Sequence, residues 1–299
     1  MERLRVASCR IADDAFKSRT VAIQGMDRVK HIKPDFPPDA FAGTAAYYAR
    51  YRVPYPQRLL KDLLVRADVT GNGSLLDLAC GPGSVSLAIA SSFREVWAID
   101  LEPEMIEVGR SEAALRGATN ITWKPGRAED LEAPADTFEL ITIGAAFHRL
   151  DQQRVAAQTL RWLKPRCCLA TLGSDTVLSG REPWQQIVLE IVRRWRNRRF
   201  PNHDGLPQGP GSGPEHNERV LKESGFEEVA SYPFVEAHEW TIKTIVGYLY
   251  STSVCSKLIL GGDAEGFESD LEAALLAHDP SGIYREDTPW GYTIARKPK

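Results

Sequence analysis

The sequence predicts an α/β fold in which helices cover both faces of a mostly parallel sheet. Two observations support this prediction. Short apolar runs alternate with amphipathic segments from residue 74 to residue 173, and the first of these runs leads directly into a glycine-rich turn. Alternation of strands and helices builds a parallel sheet, because each crossover helix returns the chain to the same end of the sheet.

The predicted elements follow in order along the chain, and each helix carries apolar residues at helical spacing. The first five strands are predicted at residues 74–80, 95–100, 121–126, 138–146 and 167–173. Helices are predicted at residues 57–67, 82–93, 103–117 and 151–163, the last capped by Asp151. Later helices are predicted at residues 184–200, 215–225, 240–253 and 268–278, with strand-like segments at 229–240 and 291–297.

Composition excludes several classes of protein. The net charge of −3 gives no positive field for nucleic acid, so we expect no nucleic-acid partner. No run approaches roughly eighteen consecutive apolar residues, and the charged N-terminus lacks the apolar core of a signal peptide. We therefore expect a cytoplasmic protein with no membrane partner. The five cysteines include no C-x-x-C pair, which argues against a disulfide framework and a structural zinc site.

The chain is predicted to consist of an N-terminal extension and one domain. Residues 1–40 are polar, end in a cluster of prolines and are expected to be partly flexible. A second methionine, Met26, leaves open whether residues 1–25 belong to the native product. Residues 41–299 are predicted to form the domain, with an insertion at about 174–224 that forms a helical cap over the site. Lids of this kind exclude water from a reaction.

A glycine-rich turn and an acidic residue predict a nucleotide site. Gly81 and Gly83 allow the backbone to approach a ligand at the carboxyl end of the sheet, where helix N–H groups add partial positive charge. Asp100 ends the second predicted strand, and its carboxylate can accept hydrogen bonds from both hydroxyls of a ribose. The pattern is typical of a Rossmann-like fold that binds a nucleoside cofactor.

Two residues distinguish between such cofactors. Ser86 occupies the position of the third glycine in the dinucleotide pattern G-x-G-x-x-G. Asp77 lies inside the first strand, where dinucleotide enzymes normally carry an apolar residue. A buried carboxylate needs a partner because its desolvation is costly, and an ammonium group of the ligand, or water near it, would supply one. A ligand with a base, a ribose and an amino-acid tail is S-adenosylmethionine.

At this point the chain resembles the class I S-adenosylmethionine-dependent methyltransferases. The segment LLDLACGPG (75–83) is similar to their first motif, and residues 98–110, 126–131, 140–151 and 160–170 resemble later motifs in the same order. The resemblance covers roughly residues 41–173. It implies a seven-stranded sheet of order 3-2-1-4-5-7-6, S-adenosylmethionine as cofactor, S-adenosylhomocysteine as product, and no metal.

The resemblance also implies which residues hold the cofactor. The expected set is Tyr47, Arg52, Asp77, Ala79, Gly81, Gly83, Asp100, Glu102, Met105, Ala128, Glu129 and Gly144. Asp100 would bind the ribose, with Glu102 and Met105 near the base. The family often has Asp where this chain has Arg127, so the contact to the adenine amino group is expected from Glu129 or Asp130.

Four residues are candidates for the catalytic side of the site. The aromatic segment 41–56 resembles a stretch that folds over the cofactor and lines the acceptor pocket. Tyr47 and Tyr55 each offer a hydroxyl and an electron-rich ring that favours the cationic sulfonium, although ordinary packing is the alternative. Phe147 would shape the pocket. His148 could act as a general base, because its reference pKa of about 6.5 suits proton removal at neutral pH, or it could be structural.

The predicted reaction is in-line transfer of the sulfonium methyl group to a small molecule. We expect an amine nitrogen in bacterial secondary metabolism, such as antibiotic biosynthesis. The first alternative is O-methylation of a small acid or phenol, in which Arg52, Arg127 or Arg149 would bind a carboxylate.

An RNA methyltransferase and a non-catalytic cofactor-binding module are further alternatives. The RNA enzyme would use the arginines of residues 193–199. The apolar and arginine-rich helix 184–200 also makes a homo-oligomer an expectation.

Overall fold

The structure is a computed structural model that describes residues 39–175, 177–200 and 213–299. The predicted extension up to residue 38 and most of the predicted loop 202–214 lie outside the described residues. The helices are α1 (Ala45–Tyr51), α2 (Gln57–Arg66), α3 (Ser86–Ile89), α4 (Pro103–Leu115), α5 (Gln152–Trp162), α6 (Pro183–Arg199), α7 (Pro214–Glu223), α8 (Ile242–Tyr250), α9 (Lys257–Leu260) and α10 (Ala264–His278). The strands are β1 (Ser74–Leu78), β2 (Glu95–Asp100), β3 (Ile121–Pro125), β4 (Phe138–Gly144), β5 (Leu163–Ser174), β6 (Glu227–Thr241) and β7 (Ile283–Arg296).

The strands form one seven-stranded sheet of order β3-β2-β1-β4-β5-β7-β6, which confirms the predicted Rossmann-like architecture. Strands β1 to β5 are mutually parallel, and β7 pairs antiparallel with both β5 and β6. All five residues of β1 are buried, because helices cover both faces of a central parallel strand. The carboxyl ends of β1, β2 and β4 therefore meet at one edge of the sheet.

Each face of the sheet has its own apolar core. One face packs against α5 and α7 through residues such as Val155, Trp162 and Leu221. The other packs against α2 through residues such as Leu60 and Leu63. Helix α5 begins where predicted, because the Asp151 carboxylate accepts a hydrogen bond from the Arg154 N–H at 3.2 Å.

The predicted helix 82–93 is shorter in the structure. Regular helix covers only Ser86–Ile89, followed by a 3-10 turn at Ala90–Ser92. Gly81 and Gly83 adopt φ angles of +56° and +88°, in the left-handed region that favours glycine, so the chain completes a turn before the helix begins.

A separate apolar cluster joins α6, α8, α9 and α10, which we call the cap. The prediction placed the cap at about 174–224, and the structure draws its boundaries differently. Helix α7 packs with α5 on the sheet, because its apolar residues Val220 and Leu221 face that core. Helices α8 to α10 join the cap instead, since they bury the apolar face of α6.

The same packing buries the apolar face of the arginine-rich helix α6. Its apolar residues, including Trp184, Val188 and Trp195, are buried within the chain itself. Arg194 forms an ion pair with Asp270 at 2.8 Å. The apolar face on which the expectation of a homo-oligomer depends is thus already covered, and oligomerisation stays a prediction.

Candidate functional site

A cavity of about 240 Å³ lies at the carboxyl ends of β1, β2 and β4, and we call it the larger cavity. Its walls come mainly from the turns that follow those strands and β3. Eight of the predicted cofactor residues line it: Ala79, Gly81, Asp100, Glu102, Met105, Ala128, Glu129 and Gly144. The structure therefore brings these eight residues together at one cavity, and their contacts with a cofactor stay a prediction.

Asp100 ends β2 and lines the larger cavity beside the turn that follows β1. Its carboxylate accepts hydrogen bonds from the Gly81 N–H at 2.7 Å and from the Glu102 N–H at 2.9 Å, one at each oxygen. Burial raises its pKa above the ordinary value. Because each carboxylate oxygen can accept more than one hydrogen bond, Asp100 retains the capacity to bind two ribose hydroxyls.

Asp77 has a different role from the one expected. It is 1% exposed and lines neither cavity described here. Its carboxylate accepts hydrogen bonds from the N–H and the hydroxyl of Ser86, and from the Thr142 hydroxyl at 2.8 Å. Burial raises its pKa to about 6. The protein itself thus supplies the partner that the sequence analysis sought in the ligand, and Ser86, at the third glycine position, was the overlooked signal.

Gly83 also serves packing rather than a cavity wall. A Cβ atom at this position would overlap the Trp123 ring, which fills the space beside the turn. Gly81 does line the larger cavity, and a Cβ there would lie 3.8 Å from the Tyr48 ring. Gly81 therefore borders the larger cavity, and Gly83 leaves room for the Trp123 ring.

Two alanines in the left-handed conformation were not foreseen. Ala79 and Ala145 follow β1 and β4 with φ angles of +52° and +51°, and both line the larger cavity. Backbone strain of this kind costs on the order of 1 kcal/mol per residue and tends to cluster at ligand sites. No pattern of residue types marks these positions, because alanine is not a residue that favours positive φ.

Of the two acidic residues considered for the adenine amino group, the structure brings Glu129 to the larger cavity. Glu129 is buried and accepts a hydrogen bond from the Asp151 N–H at 3.1 Å. Asp130 is exposed, forms an ion pair with Arg154 at 3.2 Å and does not line the cavity.

A second cavity of about 40 Å³, the smaller cavity, shares Tyr48 and Ala145 with the larger one. Its other walls come from the ends of β5 and β6, from β7, and from the cap helix α8. Five aromatic side chains line it: Tyr48, Tyr55, Trp240, Tyr248 and Trp290. Its charged lining residues are Arg52, Asp175 and Glu286.

Arg52 and Tyr55, both predicted site residues, lie at the smaller cavity. The Arg52 Nε donates to the Ser251 hydroxyl at 2.8 Å, and its guanidinium lies 4.6 Å from the Tyr48 ring and 4.8 Å from the Tyr248 ring. Arg52 is therefore held away from the larger cavity. Burial raises the pKa of Tyr55 well above its usual value, so its phenol stays neutral.

Tyr47 lines neither cavity. Its ring packs against Tyr250 at 5.3 Å and stacks on Tyr51 at 6.1 Å, on the side of α1 that faces the cap. Consecutive helical residues point about 100° apart, so the neighbouring Tyr48 faces the cavities instead. The sequence analysis selected the correct segment and the wrong tyrosine for the cavity wall.

Phe147 and His148 also lie outside both cavities. Phe147 is buried in the apolar core beneath β4, so it does not shape a pocket wall. Burial and the neighbouring Arg149 lower the pKa of His148 to about 4. A histidine with that pKa is neutral at physiological pH and is a weak base.

Residues 39–175, 177–200 and 213–299 offer neither a metal-binding cluster nor a membrane-spanning helix. No cluster of three or more His, Cys, Asp or Glu side chains in this part of the chain could hold a metal ion. None of its helices is both long and apolar enough to cross a membrane. The absence of a metal from the reaction stays a prediction.

Comparison with known sequences places this site in a family. Residues 75–166 match the family model described as a methyltransferase domain. A demethylmenaquinone methyltransferase of Anoxybacillus flavithermus is 30% identical over 186 residues, covering 58% of this chain and 78% of the relative. The uncharacterized methyltransferase YcgJ of Bacillus subtilis is 28% identical over 142 residues, covering 47% of this chain and 54% of YcgJ. The match thus spans about half the length of YcgJ.

Solved structures share the fold. The crystal structure of YcgJ from Bacillus subtilis aligns over 82% of this chain and all of that chain, with a TM-score of 0.54 and 17% identity. Phosphoethanolamine N-methyltransferase 2 of Haemonchus contortus, in complex with S-adenosyl-L-methionine, aligns over 88% of this chain and 57% of that chain, with a TM-score of 0.50 and 16% identity. The family model, the sequence relatives and the order of the strands agree, and the chain belongs to the class I S-adenosylmethionine-dependent methyltransferases.

Proposed function

We propose that this methyltransferase transfers the methyl group of S-adenosylmethionine to the nitrogen of a small-molecule amine bound in the smaller cavity. The charge of that cavity carries the proposal. Two carboxylates, Glu286 and Asp175, line it together with aromatic rings, whereas its one arginine among the described residues, Arg52, already donates to Ser251. Such a wall attracts a cationic amine and repels an acid.

The larger cavity fits the cofactor. Asp100 offers two carboxylate oxygens that still accept hydrogen bonds, and Gly81 leaves open the space that a side chain would fill. Met105 and Glu129 would line the position of the base, as the family resemblance implies. When bound, S-adenosylmethionine supplies a methyl group activated by a sulfonium.

Tyr48 and Ala145 stand where the two cavities meet, so the methyl group would pass between cofactor and acceptor at this point. The protein's main contribution is then to align the two reactants. Alignment of this kind supplies about 7–11 kcal/mol of barrier reduction without any acid or base. A neutral amine is a good nucleophile, so the low pKa of His148 does not prevent the reaction.

Glu286 is held firmly enough to recognise an ammonium group. Its carboxylate accepts hydrogen bonds from the Trp240 Nε1–H at 2.8 Å, from the Thr288 hydroxyl at 3.0 Å and from the Gln185 amide. These hydrogen bonds fix the carboxylate in the wall of the smaller cavity. The amine binds as a cation and loses its proton to water. Its free electron pair then attacks the methyl group, the S–C bond breaks, and S-adenosylhomocysteine is released.

A carboxylic acid acceptor would require a cationic wall at the smaller cavity. Of the three arginines considered for this role, Arg127 and Arg149 line the larger cavity, and only Arg52, which donates to Ser251, lines the smaller one. The nearby carboxylates oppose a second negative charge, so the geometry favours the amine over carboxyl O-methylation.

A flat hydroxylated ring is the second candidate. The relative from Anoxybacillus flavithermus is named as a demethylmenaquinone methyltransferase, and five aromatic side chains line the smaller cavity of this chain. Stacking on such rings favours a planar acceptor. A role in secondary metabolism, such as antibiotic biosynthesis, and a cytoplasmic location belong to the proposal for the amine and rest on the sequence analysis.

A mass-spectrometric screen tests the proposal. Purified protein and S-adenosylmethionine are incubated with separate pools of amines, phenols and quinones, carboxylic acids, and RNA, and products heavier by one methylene are sought. The Asp100→Ala variant provides the control for cofactor-dependent signal. We expect methylated products in the amine pool. Products confined to another pool would replace the acceptor, and silence in every pool, with cofactor binding verified, would indicate a non-catalytic module.

A further inference from the structure

The carboxylate of Glu286 is held by three elements of the fold. Its Oε1 accepts hydrogen bonds from the Trp240 Nε1–H of β6 at 2.8 Å and from the Thr288 hydroxyl of β7 at 3.0 Å. Its Oε2 accepts one from the Gln185 side-chain amide of the cap helix α6. Trp240 and Thr288 line the smaller cavity together with Glu286, whereas Gln185 lines neither cavity. A residue outside both cavities thus holds the carboxylate proposed for amine recognition.

The two oxygens of this carboxylate differ in their capacity for a further hydrogen bond. A carboxylate offers about two acceptor sites on each oxygen. Among the described residues, two donors occupy Oε1 of Glu286 and one donor occupies Oε2. The acceptor site left for an ammonium hydrogen is therefore on Oε2, which is the oxygen that Gln185 holds.

The Gln185 amide is itself fixed by the first turn of α6. Gln185 is 2% exposed, and its Oε1 accepts a hydrogen bond from the Glu182 N–H at 3.0 Å. A Cβ atom at Gly180 would overlap the amide, so the chain leaves room for this side chain. One end of the side chain must accept from Glu182 and the other must donate to Glu286, and an amide does both. The two partners therefore set its orientation.

A second hydrogen bond joins the same turn to the same strand. The Trp184 indole N–H donates to the Arg285 carbonyl at 3.2 Å, one residue before Glu286. Consecutive residues of α6 thus bond to consecutive residues of β7. This pairing fixes the first turn of the cap helix against the strand that provides the carboxylate.

We propose that Gln185 is a positioning residue for the methyl acceptor: it directs Oε2 of Glu286 toward the ammonium group of the amine. Through this contact the cap helix α6 sets the affinity of the smaller cavity for amines. The inference rests on the proposed function, since it takes Glu286 as the group that recognises the amine. Because Gln185 lines neither cavity, its effect falls on binding of the amine and not on methyl transfer itself.

Gln185→Met tests the inference, because methionine keeps a long unbranched side chain but cannot donate a hydrogen bond. Methyl transfer is measured with every amine methylated in the screen, whose pool includes ethylamine, piperidine and 2-phenylethylamine. We expect KM for the amine to rise about five- to tenfold, the equivalent of one hydrogen bond, and kcat to change less than about twofold. A lower kcat at constant KM, or no change in either, would overturn the inference.

Gln186→Met is the matched control. Gln186 is the next residue of the same turn and donates to the Gly180 carbonyl at 2.7 Å, but it is exposed and lines neither cavity. Its substitution should leave KM for the amine within about twofold of the wild-type value. An equal rise of KM in both variants would assign the effect to the whole turn and would overturn the role of the Gln185 amide.

A double variant shows whether Gln185 acts through Glu286. Glu286→Gln removes the charge that Gln185 positions, so adding Gln185→Met to that variant should raise KM for the amine by less than about twofold more. This result would assign the effect of Gln185 to the contact with Glu286. If the two effects multiplied instead, the residues would act independently, which would contradict the inference.

Hydrogen exchange in the wild-type protein tests the same coupling even if Gln185→Met fails to fold. If the Gln185 contact strengthens amine binding, the amine strengthens that contact by the same factor, because coupling is reciprocal. Saturation with the methylated amine should therefore slow exchange of the Glu182 N–H, which donates to Gln185, about five- to tenfold. Glu286→Gln should abolish the slowing. Unchanged exchange in the wild-type protein would overturn the inference.

The outcomes separate this inference from the proposed function. Amines methylated with the same KM by the wild-type protein and by Gln185→Met would remove the inference alone and leave the proposed function intact. Silence of the amine pool in the screen, or methylation confined to the other pools, would remove both.

Discussion

The two cavities of this methyltransferase differ in what forms their walls. The larger cavity is bounded by the turns at the ends of parallel strands, where main-chain geometry and Asp100 define the wall. The smaller cavity is bounded by large side chains from segments distant in sequence, including Tyr55, Trp240 and Glu286. Tyr48 and Ala145 line both cavities.

The difference indicates how the chain separates its tasks. The expected cofactor site belongs to the sheet, because it uses groups that any fold of this topology places at the same edge. The proposed acceptor site is formed by side chains of the N-terminal aromatic segment, the cap and β7. Substitutions in one cavity should therefore leave the function of the other intact, except at the shared wall.

The largest effect is expected from Asp100→Ala. It removes the two oxygens expected to bind the ribose and the two hydrogen bonds that hold Gly81 and Glu102. We expect the affinity for S-adenosylhomocysteine to fall about 100-fold or more, because hydrogen bonds to charged groups are worth about 1.5–3 kcal/mol each. Isothermal titration calorimetry measures the change, with Asp130→Ala as the control outside the cavity. Unchanged affinity in Asp100→Ala would remove the ribose assignment.

Substitution at the shared wall should affect both cavities. We expect Tyr48→Leu to weaken cofactor affinity and to lower kcat about 30-fold, since the loss of a cation–π contact with a desolvated cation costs about 2 kcal/mol. The neighbouring Tyr47→Leu removes a ring that packs against the cap and should lower the melting temperature instead. Calorimetry, turnover assays and thermal unfolding compare the two variants. If Tyr47→Leu lowered cofactor affinity and kcat, and Tyr48→Leu lowered only the melting temperature, then Tyr47 rather than Tyr48 would line the cavity.

Within the smaller cavity, Glu286→Gln tests the recognition of the amine. The amide keeps one acceptor for the Trp240 N–H but loses the negative charge. We expect KM for an amine acceptor to rise about tenfold at unchanged cofactor affinity, because a close charge pair of this kind is worth on the order of 1–2 kcal/mol.

Glu239→Gln on β6 is the matched control for the charge. Its carboxylate pairs with the exposed Arg285 and lies outside both cavities. Steady-state kinetics with the acceptor found in the screen should show a normal KM for this variant. An equal rise of KM in both variants would point to long-range charge rather than to a contact in the smaller cavity.

The smallest effect is expected at His148. Its pKa is lowered to about 4, so it is already neutral above pH 5 and does not titrate between pH 6 and 8. We expect His148→Gln to change kcat by about twofold or less and to leave the pH profile of kcat unchanged over that range. A 100-fold lower kcat in His148→Gln, together with the loss of an inflection near pH 6.5 in the wild-type pH profile of kcat, would indicate that His148 is a general base.

The cofactor side could be predicted from the sequence because its signals are local. A strand, a glycine turn and the acidic end of the next strand occur in succession, and Gly81 and Asp100 meet as that pattern predicts. Asp77 was recognised as unusual for the correct physical reason. Its partner Thr142 lies on another strand, and the contact depends on the register of β1 with β4.

The acceptor side could not be predicted in the same way. Glu286 and Trp290 lie on β7, more than 200 residues after Tyr48, and the antiparallel insertion of β7 between β5 and β6 brings them to the site. No local pattern marks either residue. The choice between Tyr47 and Tyr48 depended on the packing of α1 against α8, which places Tyr51 over Gly247 and fixes the rotation of the helix.

A crystal structure of the complex with S-adenosylhomocysteine tests the division between the two cavities most directly. We predict that the ribose hydroxyls contact the Asp100 carboxylate and that the sulfur lies beside Tyr48 and Ala145, open to the smaller cavity. A product molecule whose ribose lies away from Asp100, or whose sulfur faces a surface other than the smaller cavity, would contradict this account of the site.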